Sequence, residues 1–143
     1  MKKNKFLITF LVVFMSLLLT GCGNEKKLVC KNSSPNVDIT FDMKYDSNKL
    51  KKFKISYSIN LSSYSTKQSE EYIQQDFCST IENTMDFKGA LKGCNQKNSG
   101  EKILVNTEVD ITKVNEDKLK QYDNIDNVKN DFENAGFTCN ISE

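Results

Sequence analysis

Two stretches of strict alternation do most to limit what this chain can become. Val37, Ile39, Phe41, Met43 and Tyr45 fall on one side of a period-two pattern, with Asp38, Thr40, Asp42 and Lys44 on the other. After Asp46-Ser47-Asn48 the pattern resumes, with Phe53, Ile55, Tyr57, Ile59 and Leu61 against Lys54, Ser56, Ser58 and Asn60. Side chains of an extended strand point alternately to opposite faces, so each run buries one face and leaves the other wet. The turn-forming residues between them close the pair into an antiparallel hairpin. A third alternation follows Asn98-Ser99-Gly100: Ile103, Val105, Thr107, Val109 and Ile111 against Leu104, Asn106, Glu108 and Asp110. It is expected to pair with a short strand near residues 91–97.

Elsewhere the period is helical. Ile73, Phe77, Ile81 and Met85 form an apolar stripe, and Ser65 with Gln68 spells a capping box, so one helix is expected from Thr66 to Phe87. Asn115 is placed to cap a short helix holding Leu119 and Tyr122. Ile125, Val128, Phe132 and Ala135 recur at helical spacing before Gly136, a natural C-terminal stop, and residues 137–141 return as a short edge strand. The expected fold class is α+β: an antiparallel sheet with amphipathic helices packed on one face.

The first 22 residues belong to a different kind of segment. Lys2, Lys3 and Lys5 precede a 14-residue apolar core from Phe6 to Leu19, and small residues follow, as in an export signal. A lasting membrane span needs about 20 apolar residues, so the run is read as a signal. Leu19-Thr20-Gly21-Cys22 looks like a bacterial lipobox, whose cysteine sulfur takes a diacylglyceryl group and whose peptide bond is cut just before it. A bulky side chain at Thr20 or Gly21 would block the peptidase. The alternatives are an ordinary cleaved signal or a retained anchor. Two acyl chains, such as palmitate, carried by one cysteine suffice for stable anchoring. The expected organisation is a cleaved signal peptide over 1–21, a lipidated tether over 22–27, and a single domain over 28–143 on the extracytoplasmic face of the cell membrane.

Charge narrows the partners. All 20 basic residues are lysines, and after loss of the signal 17 remain against 19 acids. Nucleic acid binding calls for a clear basic excess, so it is not expected. The chain has no His, Arg or Trp, which removes imidazole catalysis and guanidinium clamps. About 120 residues remain after cleavage, enough for one modest core.

The whole chain resembles the small YehR-like lipoproteins, common in low-GC Gram-positive bacteria. The resemblance rests on the lipobox, on "KLVC" opening the domain, on two long strands joined by "YDSNKLKKFKI", and on the ending "DFENAGFTCN". What it implies is a fold and a location, with no activity attached.

With Cys22 assigned to lipid, Cys30, Cys78, Cys94 and Cys139 are left, an even number that permits three connectivities. Cys30 and Cys139 sit at the two ends of the domain, whereas Cys78 flanks the first helical stripe and Cys94 follows it. The economical pairing is Cys30 with Cys139 and Cys78 with Cys94; the alternative is four free buried thiols. No CxxC pair and no histidine is present to activate a cysteine.

Candidate site residues are few. Ser99 and Lys102 match an S-x-x-K spelling, but that chemistry needs both on one helical turn, and here a glycine turn feeds a strand. Residues 123–131 are acidic yet lack the calcium-loop pattern, because Ile125 and Val128 fall where a ligand and a glycine belong. Asp38, Asp42, Glu108 and Asp110 converge on the wet sheet face if the first and third long strands are neighbours, which would give a cation or partner site; the plain alternative is an ordinary solvated face. Lys49, Lys51, Lys52 and Lys54 form a second candidate surface, for anionic lipid or a wall polymer, against the plainer role of solubility and edge protection. No catalytic residue, resident metal or cofactor is expected. The reading is a monomeric, non-catalytic, membrane-anchored lipoprotein that binds an envelope or extracellular partner. The alternative is a structural or accessory subunit of a cell-envelope complex.

Overall fold

The computed structural model describes residues 24–143; the signal segment and Cys22 lie outside the described residues. Six antiparallel strands form one sheet: β1 (Glu25–Ser33), β2 (Val37–Asp46), β3 (Lys49–Asn60), β4 (Leu91–Asn98), β5 (Lys102–Val109) and β6 (Thr138–Ser142). Their order across the sheet is β4-β5-β3-β2-β1-β6. Four α-helices, α1 (Thr66–Gln74), α2 (Phe77–Met85), α3 (Glu116–Lys120) and α4 (Ile125–Asn134), join them, with a short 3-10 turn over Ile111–Lys113. This is the expected α+β architecture, with the helical layer on one face.

The alternating sequences fold as strands because each apolar set finds the same cover. Met43, Tyr45, Phe53, Ile55 and Val109 face one core, over which Phe87, Ile125 and Val128 pack. Ile59, Ile103 and Val105 face a second, with Leu61 and Phe77, and Tyr72 and Ile73 of α1 at its margin. Both described cores and both described disulfides are built from residues within 24–143.

The β2–β3 hairpin closes on Ser47 and Asn48, both with positive φ (49° and 65°), the two-residue turn whose twist matches its strands. Asn-Gly suits such a turn better than Ser-Asn. Ser47→Asn with Asn48→Gly is expected to raise the unfolding free energy by about 1 kcal/mol, read from the thermal midpoint.

In β3 the register with β2 shifts by one residue after that turn: Tyr45 pairs with Leu50, but Lys44 pairs with Lys52. Lys51 is the extra residue. The bulge lets both Leu50 and Phe53 face the core across two consecutive lysines.

Three expectations are corrected. The tether is shorter than 22–27, because Glu25, Lys26 and Lys27 pair with Asp46, Tyr45 and Lys44 and so belong to β1. The helix expected over Thr66–Phe87 is two helices. Its break at Gln75 and Asp76, both extended, is held from outside: the Gln96 side chain of β4 donates to the Gln75 carbonyl (2.9 Å) and accepts from the Phe77 N–H (3.1 Å). Asp76 then caps α2 by accepting from the backbone N–H and hydroxyl of Ser79, which holds its carboxyl below the usual carboxylate range. The third correction concerns strand order. The runs carrying Asp38 and Asp42, and Glu108 and Asp110, are not neighbours, since β3 lies between them.

Cys30 and Cys139 stand directly opposite each other on β1 and β6 and form one disulfide. Cys78 of α2 reaches Cys94 of β4 and forms the other, pinning the helix to the edge strand.

Candidate functional site

Among the described residues the helices cover one face of the sheet and leave the other open. On that open face the cross-strand rows can be read from the register. One row runs Val29, Asp42, Lys54, Glu108, Lys92. The next runs Lys31, Thr40, Ser56, Asn106, Asn95. Charges of opposite sign therefore alternate across the strands in the first row, while the second, apart from Lys31 at its β1 end, is neutral and hydrogen-bonding.

The four carboxylates expected to converge do not. Asp38 sits in the row of Ser58 and Leu104, four residues along β2 from Asp42, a distance of about 13 Å at strand rise. Lys54 separates Asp42 from Glu108. Asp42 instead pairs with Lys27 at 2.9 Å, and Glu108 with Lys52 at 3.2 Å. Asp110 has left the sheet. It caps the 3-10 turn, accepting from the backbone N–H and hydroxyl of Thr112, and the hydroxyl bond above all holds its carboxyl below the ordinary range. Among the described residues no group of three or more His, Cys, Asp or Glu side chains is close enough to hold a metal ion.

The lysine quartet is also divided. Lys49 bonds Asp123 on the loop before α4, and Lys52 is taken by Glu108. Lys51 is exposed at the bulge. Lys54 stands on the open face between two carboxylates already paired elsewhere.

A shallow cleft of about 340 Å³ opens on this face where β4 departs from regular pairing. Between Lys92 and Asn95 the β4–β5 register shifts, and Gly93 takes φ 63°. The bulge leaves Thr107 without a β4 partner and opens space lined by Lys54, Ser56, Lys92, Asn106 and Glu108. Two ammonium groups, a carboxylate, a hydroxyl and an amide are suited to hydrogen-bonding a polar or anionic group. Of these, Ser56, Lys92 and Asn106 were not singled out by sequence reasoning. The signal that would have found them is the isolated glycine inside a strand, a mark of a bulge.

A second cleft, of about 250 Å³, lies in the helical layer between α3 and α4, lined by Tyr122, Val128, Phe132 and Ala135 with Gln121 and Asp131 at its rim. The tyrosines near it are core residues. Burial pushes the Tyr45 and Tyr122 phenols up, and the Tyr45 hydroxyl reaches only the Met43 sulfur. No described helix is long and apolar enough to cross a membrane.

No family model matches the chain, and no curated protein does. Among solved structures the chain is similar to the NMR structure of the Escherichia coli YehR protein, at 17% identity over 82% of this chain and 91% of that one, with a TM-score of 0.48. It is also similar to the NMR structure of a protein from Streptococcus pneumoniae TIGR4, at 15% identity over 84% of this chain and 86% of that one, with a TM-score of 0.45.

Proposed function

We propose that this chain is a lipoprotein of the YehR-like kind, anchored through Cys22 on the extracytoplasmic face of the cell membrane, which acts by binding an envelope partner and not by catalysis. The observation that carries the binding half is the sheet with helices on one face only. Its open face presents rows of lysine, carboxylate, hydroxyl and amide groups around a shallow cleft, a surface suited to a polar partner. The anchoring half rests on the signal and the lipobox in the sequence. That the binding is not catalysis rests on composition: without His or Arg, acid-base work would fall to carboxylates, and Asp42 and Glu108 each already hold a lysine.

Two measurements test the two halves separately. Cys22→Ser is expected to move the protein from the detergent phase to the aqueous phase, or to leave it as unprocessed precursor; normal maturation and partition of the variant would reject the anchor. A photo-crosslinking residue placed at Ser56 or Asn106 is expected to give a discrete heavier adduct in intact cells, and one at Gln74 on α1 is not. Adducts from Gln74 alone would move the binding surface to the helical layer.

A further inference from the structure

We infer that the hairpin end of the sheet, through Lys44 and Lys51, rests on the anionic phospholipid headgroups of the membrane that holds the anchor. The inference rests on the anchor at Cys22 and adds to it an orientation for the domain. It starts from the shortened tether. Cys22 precedes Glu25, the first residue of β1, by three positions, which span at most about 11 Å when extended. Glu25 is opposite Asp46, the last residue of β2 before the turn. The start of β1, three positions after Cys22, and the tip of the β2–β3 hairpin are therefore side by side. Screened charge interactions reach about 8 to 10 Å at physiological salt, so charges at this end lie close enough to act on the headgroups.

The charge there fits an anionic surface. Between positions 44 and 54 the hairpin carries Lys44, Lys49, Lys51, Lys52 and Lys54 against Asp46 alone. Lys49 and Lys52 are occupied by Asp123 and Glu108. Among the described residues Lys44 and Lys51 take part in no ion pair, and both are exposed. The acids at the tip that hold no lysine, Glu25 and Asp46, oppose the effect in part.

The test uses the mature chain with Cys22→Ser, so that no acyl chain contributes, mixed with vesicles of phosphatidylglycerol in phosphatidylcholine at low salt. Partition onto these vesicles is expected, with little onto phosphatidylcholine alone, and it is expected to vanish near 1 M salt, where the screening length is about 3 Å. Each lysine near such a surface contributes about fivefold, so changing Lys44 and Lys51 to Gln is expected to weaken partition by about 25-fold. The control removes the same charge from the other end of the sheet, with Lys97 and Lys102 changed to Gln, and is expected to lose far less. Equal loss in both variants would mean that only net charge matters and would overturn the inference. So would absence of partition, or binding to a soluble glycerol phosphate polymer without binding to vesicles. Because this chain carries no lipid, its result is independent of the Cys22 fractionation test, and either can fail while the other stands.

Discussion

Replacing Cys30 and Cys139 together by alanine is expected to lower the unfolding free energy by about 4 to 5 kcal/mol, and replacing Cys78 and Cys94 by about 3 kcal/mol. The two bridges differ in what they close. Cys30–Cys139 spans 109 residues, Cys78–Cys94 only 16, and the entropy removed from the unfolded chain rises with the logarithm of that loop. The longer bridge also holds β6, a strand of five residues whose strand partner among the described residues is β1 alone. Against a total of about 5 to 15 kcal/mol for a domain of this kind, the first pair takes a large share, and its loss is expected to leave the protein partly unfolded at growth temperature. Urea unfolding of the two double variants and the parent checks the order. Equal midpoint shifts would show that the bridges act through native contacts and not through the unfolded chain.

How much of this was legible in the sequence depends on the range of the interaction that decides each feature. Which residues of β2, β3 and β5 face the core is decided locally by alternation, so it could be read. Strand order is not. Nothing in the run Val37–Tyr45 says that its neighbours are β1 and β3, and β1 itself alternates visibly only through Leu28 and Cys30. The carboxylate site failed for that reason. The lysine group divided for a related one: Lys49 was read beside its sequence neighbours, but its partner Asp123 is 74 positions away. The break between α1 and α2 depends on a side chain from β4, about twenty positions on. Only the capping pair Asp76 and Ser79 marked it in advance, and an apolar stripe that runs through the break concealed it. The two bulges did leave marks. Lys51-Lys52 interrupts the alternation between Leu50 and Phe53, and Gly93 stands inside a strand.

Phe53→Ala is expected to cost about 3 to 5 kcal/mol, among the largest effects of any single substitution in this domain. Phe53 has no exposed surface and sits on the central strand, opposite Met43 of β2 and Val109 of β5. Its ring lies 5.8 Å from Phe41, 5.8 Å from Phe87 and 5.4 Å from Tyr122, so one side chain joins the sheet to the segments that follow α2 and α3. Truncation removes the buried area of the ring and opens a cavity that three other rings, each fixed by its own neighbours, fill poorly. Phe53→Leu keeps most of the volume and is expected to cost well under half as much. Chemical denaturation of both variants measures the difference, and a loss below about 1 kcal/mol for Phe53→Ala would show that the core closes without this ring. The consequence reaches the open face. Lys52 and Lys54 flank Phe53, and a slip of β3 by one residue would turn both lysines into the helical layer and this ring into water. The burial of Phe53 is therefore what aims these lysines at whatever the open face binds.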